Sequence, residues 1–399
     1  MLNRRRFLAM SAVAPVALRA QPGRQVHQHA LIVDAHVHAL DREFYHGGSM
    51  GTRYPDGQWD LVRAKEGGVG AFFLSIYVPE EYLPGRFETK QTLRRIDHAL
   101  EQIRLNHDLV ELALTPDDVA KIRARGKMAA ILDIEGSYDL DGDLGVLRDL
   151  HRLGLRSAQL SAHNWNQHYA DSCCSTPEHH GLTEHGREVI HTMNRLGIMI
   201  NVSHSGDETI AQAIDVSSAP VFATHHGLRS VNNIPRNLSD EMLKKLAGKG
   251  GVIGFQIGSD FNNLRAYDYN TKQKGKTFWD TSNLKDRVQG KTIYEVDQMV
   301  APGFPMIGPR LPDDVAMTVD EWVGVVDKAI QLAGEDHVGI GSDFDGGPPL
   351  ARGMRDVRDL PMITDAMLRR GYSTGRIEKF WGGNAMRLFR DVTAQSNRS

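Results

Sequence analysis

Histidine and carboxylate residues recur in this sequence at the ends of short apolar runs, where a barrel fold gathers its reactive groups. The first run ends Asp34-Ala35-His36-Val37-His38. In an extended segment residues i and i+2 face the same way, so His36 and His38 converge on one ion. Later runs end in Glu135, in His163, in His204 and in the pair His225 and His226, and the last ends Ser342-Asp343-Phe344-Asp345-Gly346. A single histidine at such a place reads as a hydrogen-bonded structural residue. Five runs ending in His or Glu, and a sixth ending in Asp, call for a common cause. Buried imidazoles and carboxylates need partners, and a metal supplies one.

The count suits two divalent cations, one held by His36 and His38, the other by His204 and His225, with Glu135 between them. Imidazole with some carboxylate favours Zn²⁺, and Mn²⁺, Co²⁺ or Fe²⁺ match the same residue types. Two such ions ~3.5–4 Å apart lower the pKa of a shared water and polarise a carbonyl. Asp343 is then placed to take a proton from that water and pass it to a leaving amine. His163 is placed to donate a hydrogen bond to the developing oxyanion. His226 faces away from His225 if the strand continues, and is left out of the metal set. Asp34 reads either as a residue that orients a ligand histidine or as a turn residue. Asp345 reads as a loop or cap residue.

The elements that must position these groups follow from the apolar runs. Strands are expected at Leu31–Val33, Ala71–Val78, Met128–Ile134, Ser157–Leu160, Ile198–Val202, Val221–Ala223, Gly251–Gln256 and His337–Ile340. Helix-like segments lie between them, such as Pro116–Arg125, Thr183–Leu196 and Val319–Ala333. Strands alternating with helices argue for a parallel sheet, and eight units argue for an α/β fold closed as a (β/α)8 TIM barrel. No glycine-rich phosphate turn follows the first strand, which argues against an open dinucleotide-binding sheet. One domain over about residues 26–395 is expected. The stretch from about 258 to 316 is too long for a plain loop. It reads as an insertion after strand 7 on the catalytic face, either a lid, a subunit contact as in a homodimer, or decoration.

Residues 1 to about 25 read as an address. Arg4-Arg5-Arg6-Phe7-Leu8 resembles a twin-arginine export signal, and the apolar run from Phe7 to Leu18 is too short to anchor the mature chain. A periplasmic or secreted location without a membrane anchor is expected. Lys+Arg 47 against Asp+Glu 50 gives a net charge of −3, which provides no field for nucleic acid. The only cysteines, Cys173 and Cys174, are adjacent. Ordinary disulfide geometry is strained between neighbours, so they read as two small thiols in a loop.

Several motifs, in order, resemble the membrane (renal) dipeptidase family of the amidohydrolase superfamily. They are Gly68–Phe73 with Ser75–Pro79, Ile134-Glu135-Gly136, Ala162-His163-Asn164 and Val202-Ser203-His204-Ser205, then His225 followed by Arg236-Asn237-Leu238, His337–Gly346 and Trp381-Gly382-Gly383-Asn384. The likeness runs from about residue 30 to 390. It implies a two-zinc dipeptidase bridged by Glu135, acting on small dipeptides and often accepting a D-residue at the second position. It also implies that His163 contacts the scissile carbonyl and that Arg236 binds the substrate's C-terminal carboxylate, a pairing that suits a guanidinium fork. Two positions depart from the pattern. The family commonly has His-x-Asp where His38 stands, and a Tyr after strand seven where this chain has Phe255-Gln256-Ile257-Gly258. These departures keep open a lactam, lactone or N-acyl amino acid hydrolase on the same site. A non-catalytic periplasmic binding protein is the remaining alternative, and Asp343 beside a full ligand set argues against it.

Overall fold

A computed structural model describes residues 22–136, 143–161, 165–274 and 283–396. Eight parallel strands follow one another around a barrel: β1 Ile32–Val37, β2 Val69–Val78, β3 Met128–Gly136, β4 Leu155–Gln159, β5 Met199–Asn201, β6 Phe222–His226, β7 Val252–Phe255 and β8 Val338–Ile340. Each pairs with the next in chain order, the simplest right-handed β/α winding. The seam between β8 and β1 closes beyond β8 itself. Asp343 N donates to His36 O at 2.9 Å, and His38 N donates to Phe344 O at 3.0 Å. The expected barrel is therefore present, with strand ends at most four residues from those of the apolar runs.

The strands are buried on both faces, as parallel strands under helices must be. Alternation along them separates two jobs. On β3, Ala129, Ile131, Asp133 and Glu135 share one parity, and on β2 so do Ala71, Phe73, Ser75 and Tyr77. This parity faces the barrel interior: Phe73 and Phe222, from strands on opposite sides, meet edge-on at 5.6 Å. The interior is apolar at the bottom, where Leu388, Phe389 and Val392 of the C-terminal helix Asn384–Ser396 plug it, and polar at the top. The opposite parity (Phe72, Leu74, Ala130, Leu132) packs under the helices.

The helices carry the start signals that fix them. Pro116–Ala124 and Val319–Ala333 each open with a capping box, Thr115 with Asp118 and Thr318 with Glu321. Trp322 on the second of these is buried and donates its indole N–H to Gln256 O at 3.0 Å, tying that helix to the end of β7. One element was not foreseen. Val110–Leu112 pairs with Met128–Ala130, because β3 starts before its neighbour β4 and leaves that edge open.

The region after β7 carries the helices Ser259–Asn262, Leu264–Lys274, Leu284–Val288 and Ile293–Val300, and then runs without an α-helix to Val319. Leu284, Ile293, Val296 and Phe304 pack with Tyr77, Val78 and Tyr82 beyond the end of β2, so the insertion lies over the mouth, as expected for the catalytic face. The reading of Cys173 and Cys174 as free thiols is corrected: they form a vicinal disulfide, Cα–Cα 3.8 Å. The loop supplies the bent backbone such a pair needs. Asp171 gathers the N–H groups of Glu178, His179 and Gly181 on one carboxylate, and Cys173 N is held by His204 O at 2.8 Å.

Candidate metal centre and active site

Each candidate donor leaves its strand at the polar end of the barrel. His36 and His38 come from the end of β1, Glu135 from β3, His204 from the turn after β5, His225 from β6, and Asp343 from the turn after β8. His204 and Asp343 both have left-handed backbones, φ 65° and 63°. Non-glycine residues hold that conformation only where the surroundings impose it. Gly346 makes room beside them: a Cβ there would sit 2.0 Å from Asp343 Oδ1 and 2.6 Å from His38 Cδ2.

The donor atoms fall into two pairs that share Glu135. His36 Nε2 and His38 Nε2 are 3.2 Å apart and lie 2.6 and 3.0 Å from Glu135 Oε2. His204 Nε2 and His225 Nε2 are 3.0 Å apart and lie 3.3 and 3.5 Å from Glu135 Oε1. His36 also stacks on His225 with ring centres 3.8 Å apart, so the two pairs adjoin. Asp343 Oδ1 stands 3.2 Å from His38 Nε2.

The other ring nitrogens decide what this arrangement fits. His36 Nδ1 faces Asp133 Oδ2 at 3.4 Å, His38 Nδ1 faces Asp41 Oδ2 at 2.8 Å, and His225 Nδ1 faces Thr224 Oγ1 at 2.9 Å. A carboxylate on Nδ1 draws the proton there and leaves a lone pair on Nε2. In His36 and His38 those lone pairs point at each other across 3.2 Å, which only a cation between them makes favourable. Two imidazoles bound tetrahedrally to one Zn²⁺ at ~2.0–2.1 Å place their nitrogens about 3.3 Å apart. The residues present therefore fit metal ions.

Without a cation, protons must serve instead. Burial pulls His36 down, but Glu135 and Asp133 outweigh it and lift its pKa to about 9. Burial likewise opposes His38, and Glu135, Asp343 and Asp41 lift it well above the ordinary imidazole value. His225 goes the other way, to about 3, through burial and then the charge of His36 and Arg236. Cation binding at this centre must release protons.

A second layer holds the first. Asn201 Nδ2 donates to Asp133, Ser75 Oγ donates to Glu135 Oε2 at 2.8 Å, and Arg95, fully buried against Phe44, pairs with Asp41. Asp133 and Asp41 were missed by the sequence reading. The Asp-x-Glu alternation at 133 and 135, on the same strand face, was the available signal for Asp133. Asp34 proves to be a residue of β1 itself, accepting from Ser342 N, Ser342 Oγ and His36 N, and so joins the seam. Asp345 accepts the N–H groups of Gln58 and Trp59, a loop role as expected. His226 is buried, and its ring lies on no donor of the cluster. His163 lies outside the described residues.

A cavity of about 230 Å³ opens over this centre, with His38, Glu135, His204, Arg236 and Asp343 in its wall. Arg236 is 7 % exposed, donates from Nη2 to His225 O at 2.8 Å, and has no hydrogen-bond partner on Nε or Nη1 among the described residues. Burial lowers its pKa to about 10, which leaves it a cation at neutral pH. The Phe261 ring lies 5.5 Å from its guanidinium. Phe261, Met306 and Ile307, all from the insertion, form the apolar side of the cavity.

A closed parallel barrel that gathers imidazoles and carboxylates at its C-terminal mouth, beside one buried guanidinium, defines a metal-dependent hydrolase. Residues 20–399 match the family described as membrane dipeptidase, peptidase family M19. Dipeptidase tcpJ of Claviceps purpurea is 32% identical over 344 residues, covering 84% of this chain and 69% of that protein. Among solved structures, the probable dipeptidase PvdM from Pseudomonas aeruginosa superposes with TM-score 0.75 at 24% identity, covering 94% of this chain and 98% of that one. A metallopeptidase from Rhodobacter sphaeroides, liganded with a phosphinate mimic of the dipeptide L-Ala-D-Ala, gives TM-score 0.70 at 24% identity, covering 91% and 99%. The chain belongs to the membrane dipeptidase family, peptidase family M19, and is a dipeptidase of that metallopeptidase class.

Proposed function

We propose that this protein is a two-zinc dipeptidase that hydrolyses the amide bond of small, free-ended dipeptides. The observation that carries this reading is the division of Glu135, one oxygen on each histidine pair, with a buried cation in the same cavity. His36 and His38 would hold one ion, His204 and His225 the other, and Glu135 both. When bound, such a pair lowers the pKa of a shared water and polarises the scissile carbonyl.

The chain's own residues do the rest. Arg236 takes the substrate carboxylate through its guanidinium, which fixes the position of the amide bond. Asp343, ionised with its pKa near 2 because the neighbouring imidazoles outweigh its burial, accepts a proton on Oδ1 and returns it to the leaving amine. His163 supports the oxyanion. The cavity is small, which suits two residues and excludes longer peptides. Tolerance of a D-residue at the second position belongs to the same reading, supported by the L-Ala-D-Ala mimic held by the Rhodobacter sphaeroides relative. The Arg4–Leu8 motif supports delivery to the periplasm through the twin-arginine route.

The test is a turnover panel with metal analysis. Two zinc ions per chain, loss of activity with a chelator and its return with Zn²⁺ are expected. L,L- and L,D-dipeptides should turn over, and their C-terminal amides should not. Equal rates on free and amidated dipeptides would overturn the role of Arg236, and preference for a lactam or an N-acyl amino acid would replace the substrate class.

A further inference from the structure

Gln256 stands immediately after β7, in the stretch Phe255–Gly258 that lacks the tyrosine the family pattern commonly carries there. Its side chain is fully buried, and its amide has both ends engaged. Gly258 N donates to Oε1 at 2.6 Å, and Nε2 donates to Asp343 Oδ2 at 3.1 Å. The first bond settles the second: an N–H can only meet the oxygen end, so the NH₂ end must face Asp343. The main chain of Gln256 is equally constrained. Its N donates to His226 O at 3.0 Å, and its O accepts from Trp322 Nε1 at 3.0 Å and Asn262 Nδ2 at 2.7 Å. Gly258 admits no side chain without disturbing this amide, because a Cβ there would lie 2.5 Å from Gln256 Oε1.

Asp343 is thereby held by two different hands. Oδ2 is occupied by the Gln256 amide, and Oδ1 is turned to the cluster, 3.2 Å from His38 Nε2 and 3.8 Å from His36 Nε2. We propose that Gln256 is a positioning residue for Asp343: it fixes the carboxylate rotamer so that Oδ1 alone serves the reaction, and it leaves the substrate carboxylate to Arg236. A carboxylate held on one side only could rotate about χ2, which is broad for Asp, and present its oxygens at the wrong angle. A donor on Oδ2 that moves with neither substrate nor ions removes that freedom before substrate arrives. The inference rests on the role given above to Asp343.

The experiment compares Gln256→Met, of similar length without a donor, with Gln256→Glu, of the same shape with an acceptor in the donor's place. Both are assayed as the zinc-loaded enzyme on a free dipeptide. Losing a hydrogen bond to a charged group predicts a fall in kcat of roughly ten- to hundredfold in Gln256→Met, with KM within about twofold and metal content unchanged. Gln256→Glu should lose at least as much kcat. The Asp343→Asn enzyme should be nearly inactive, and adding Gln256→Met to it should change the residual rate by less than about twofold, since the two act as one unit. A raised KM with unchanged kcat in Gln256→Met would show that the side chain meets the substrate, and would overturn the proposal, as would full additivity of the two changes. If Gln256→Met does not fold, kcat of Gln256→Glu decides alone. An active Asp343→Asn enzyme overturns the role of Asp343 itself; an inactive one beside a fully active Gln256→Met enzyme overturns only the present inference.

Discussion

The floor of the cavity and its roof are made by opposite means. The floor is strand ends: His36, His38, Glu135, His204 and His225, all buried, with Asp133, Asp41, Thr224 and Ser75 bonded behind them. The roof is the helical insertion after β7, held to the barrel by apolar contacts of Leu284, Val296 and Phe304 with Tyr77 and Tyr82. Its surface leaves Tyr294 exposed. A polar network fixes positions to within a bond's tolerance, whereas apolar packing tolerates exchange of similar volumes. The difference teaches where change is tolerated: the candidate donors sit in a bonded barrel floor, and the insertion adds an apolar wall that can vary without disturbing them.

Substitutions can break that division. The largest effect is expected for Glu135→Gln, which removes the carboxylate common to both histidine pairs; turnover should fall by roughly 10⁴-fold or more, with metal content by elemental analysis dropping below the wild-type value. Asp343→Asn should lower kcat by about 10³-fold with metal retained, measured by steady-state kinetics on the loaded enzyme. Arg236→Ala should raise KM for free dipeptides by roughly ten- to a hundredfold and leave C-terminal amides, already poor, unaffected. Asp133→Asn should weaken metal binding by about ten- to a hundredfold in a chelator competition, because the His36 ring loses its anionic partner. The smallest change is expected in the roof. Met306→Ala should alter kcat/KM by only about fivefold, with the sign depending on the substrate side chain, and should leave metal affinity unchanged. An insertion variant that lost metal would collapse the distinction.

The same division explains what could be read from the chain. Barrel strands are short apolar runs of fixed period, so β2 and β3 are visible at once, and their last residues announce the site. His36 and His38 needed only the two-residue repeat, and Glu135, His204 and His225 only their places after such runs. Partners that act through tertiary contact left weaker traces. Asp41 reaches His38 across a turn, and Arg95 reaches Asp41 from a helix 54 residues further on. The stretch Phe255–Gly258 read only as lacking a tyrosine, and the pairing of β7 with β8 reveals that the Gln256 amide faces Asp343. Val110–Leu112 was missed because three residues carry no period. The vicinal pair was misjudged because the pairing of adjacent cysteines depends on the conformation of the loop around them, which carries no periodic signal in sequence.

The seam between β8 and β1 has a consequence for how the enzyme comes into being. Asp34 bonds Ser342, 308 residues apart in sequence, and His36 O receives the N–H of Asp343 across the same junction. The opening and closing segments of the polypeptide thus lie side by side at the reacting centre. A nascent chain halted before residue 338 owns the four histidines and the glutamate but neither Asp343 nor the strand that completes the ring. A chain truncated before residue 338 is therefore expected to be inactive, which an assay of the truncated protein checks.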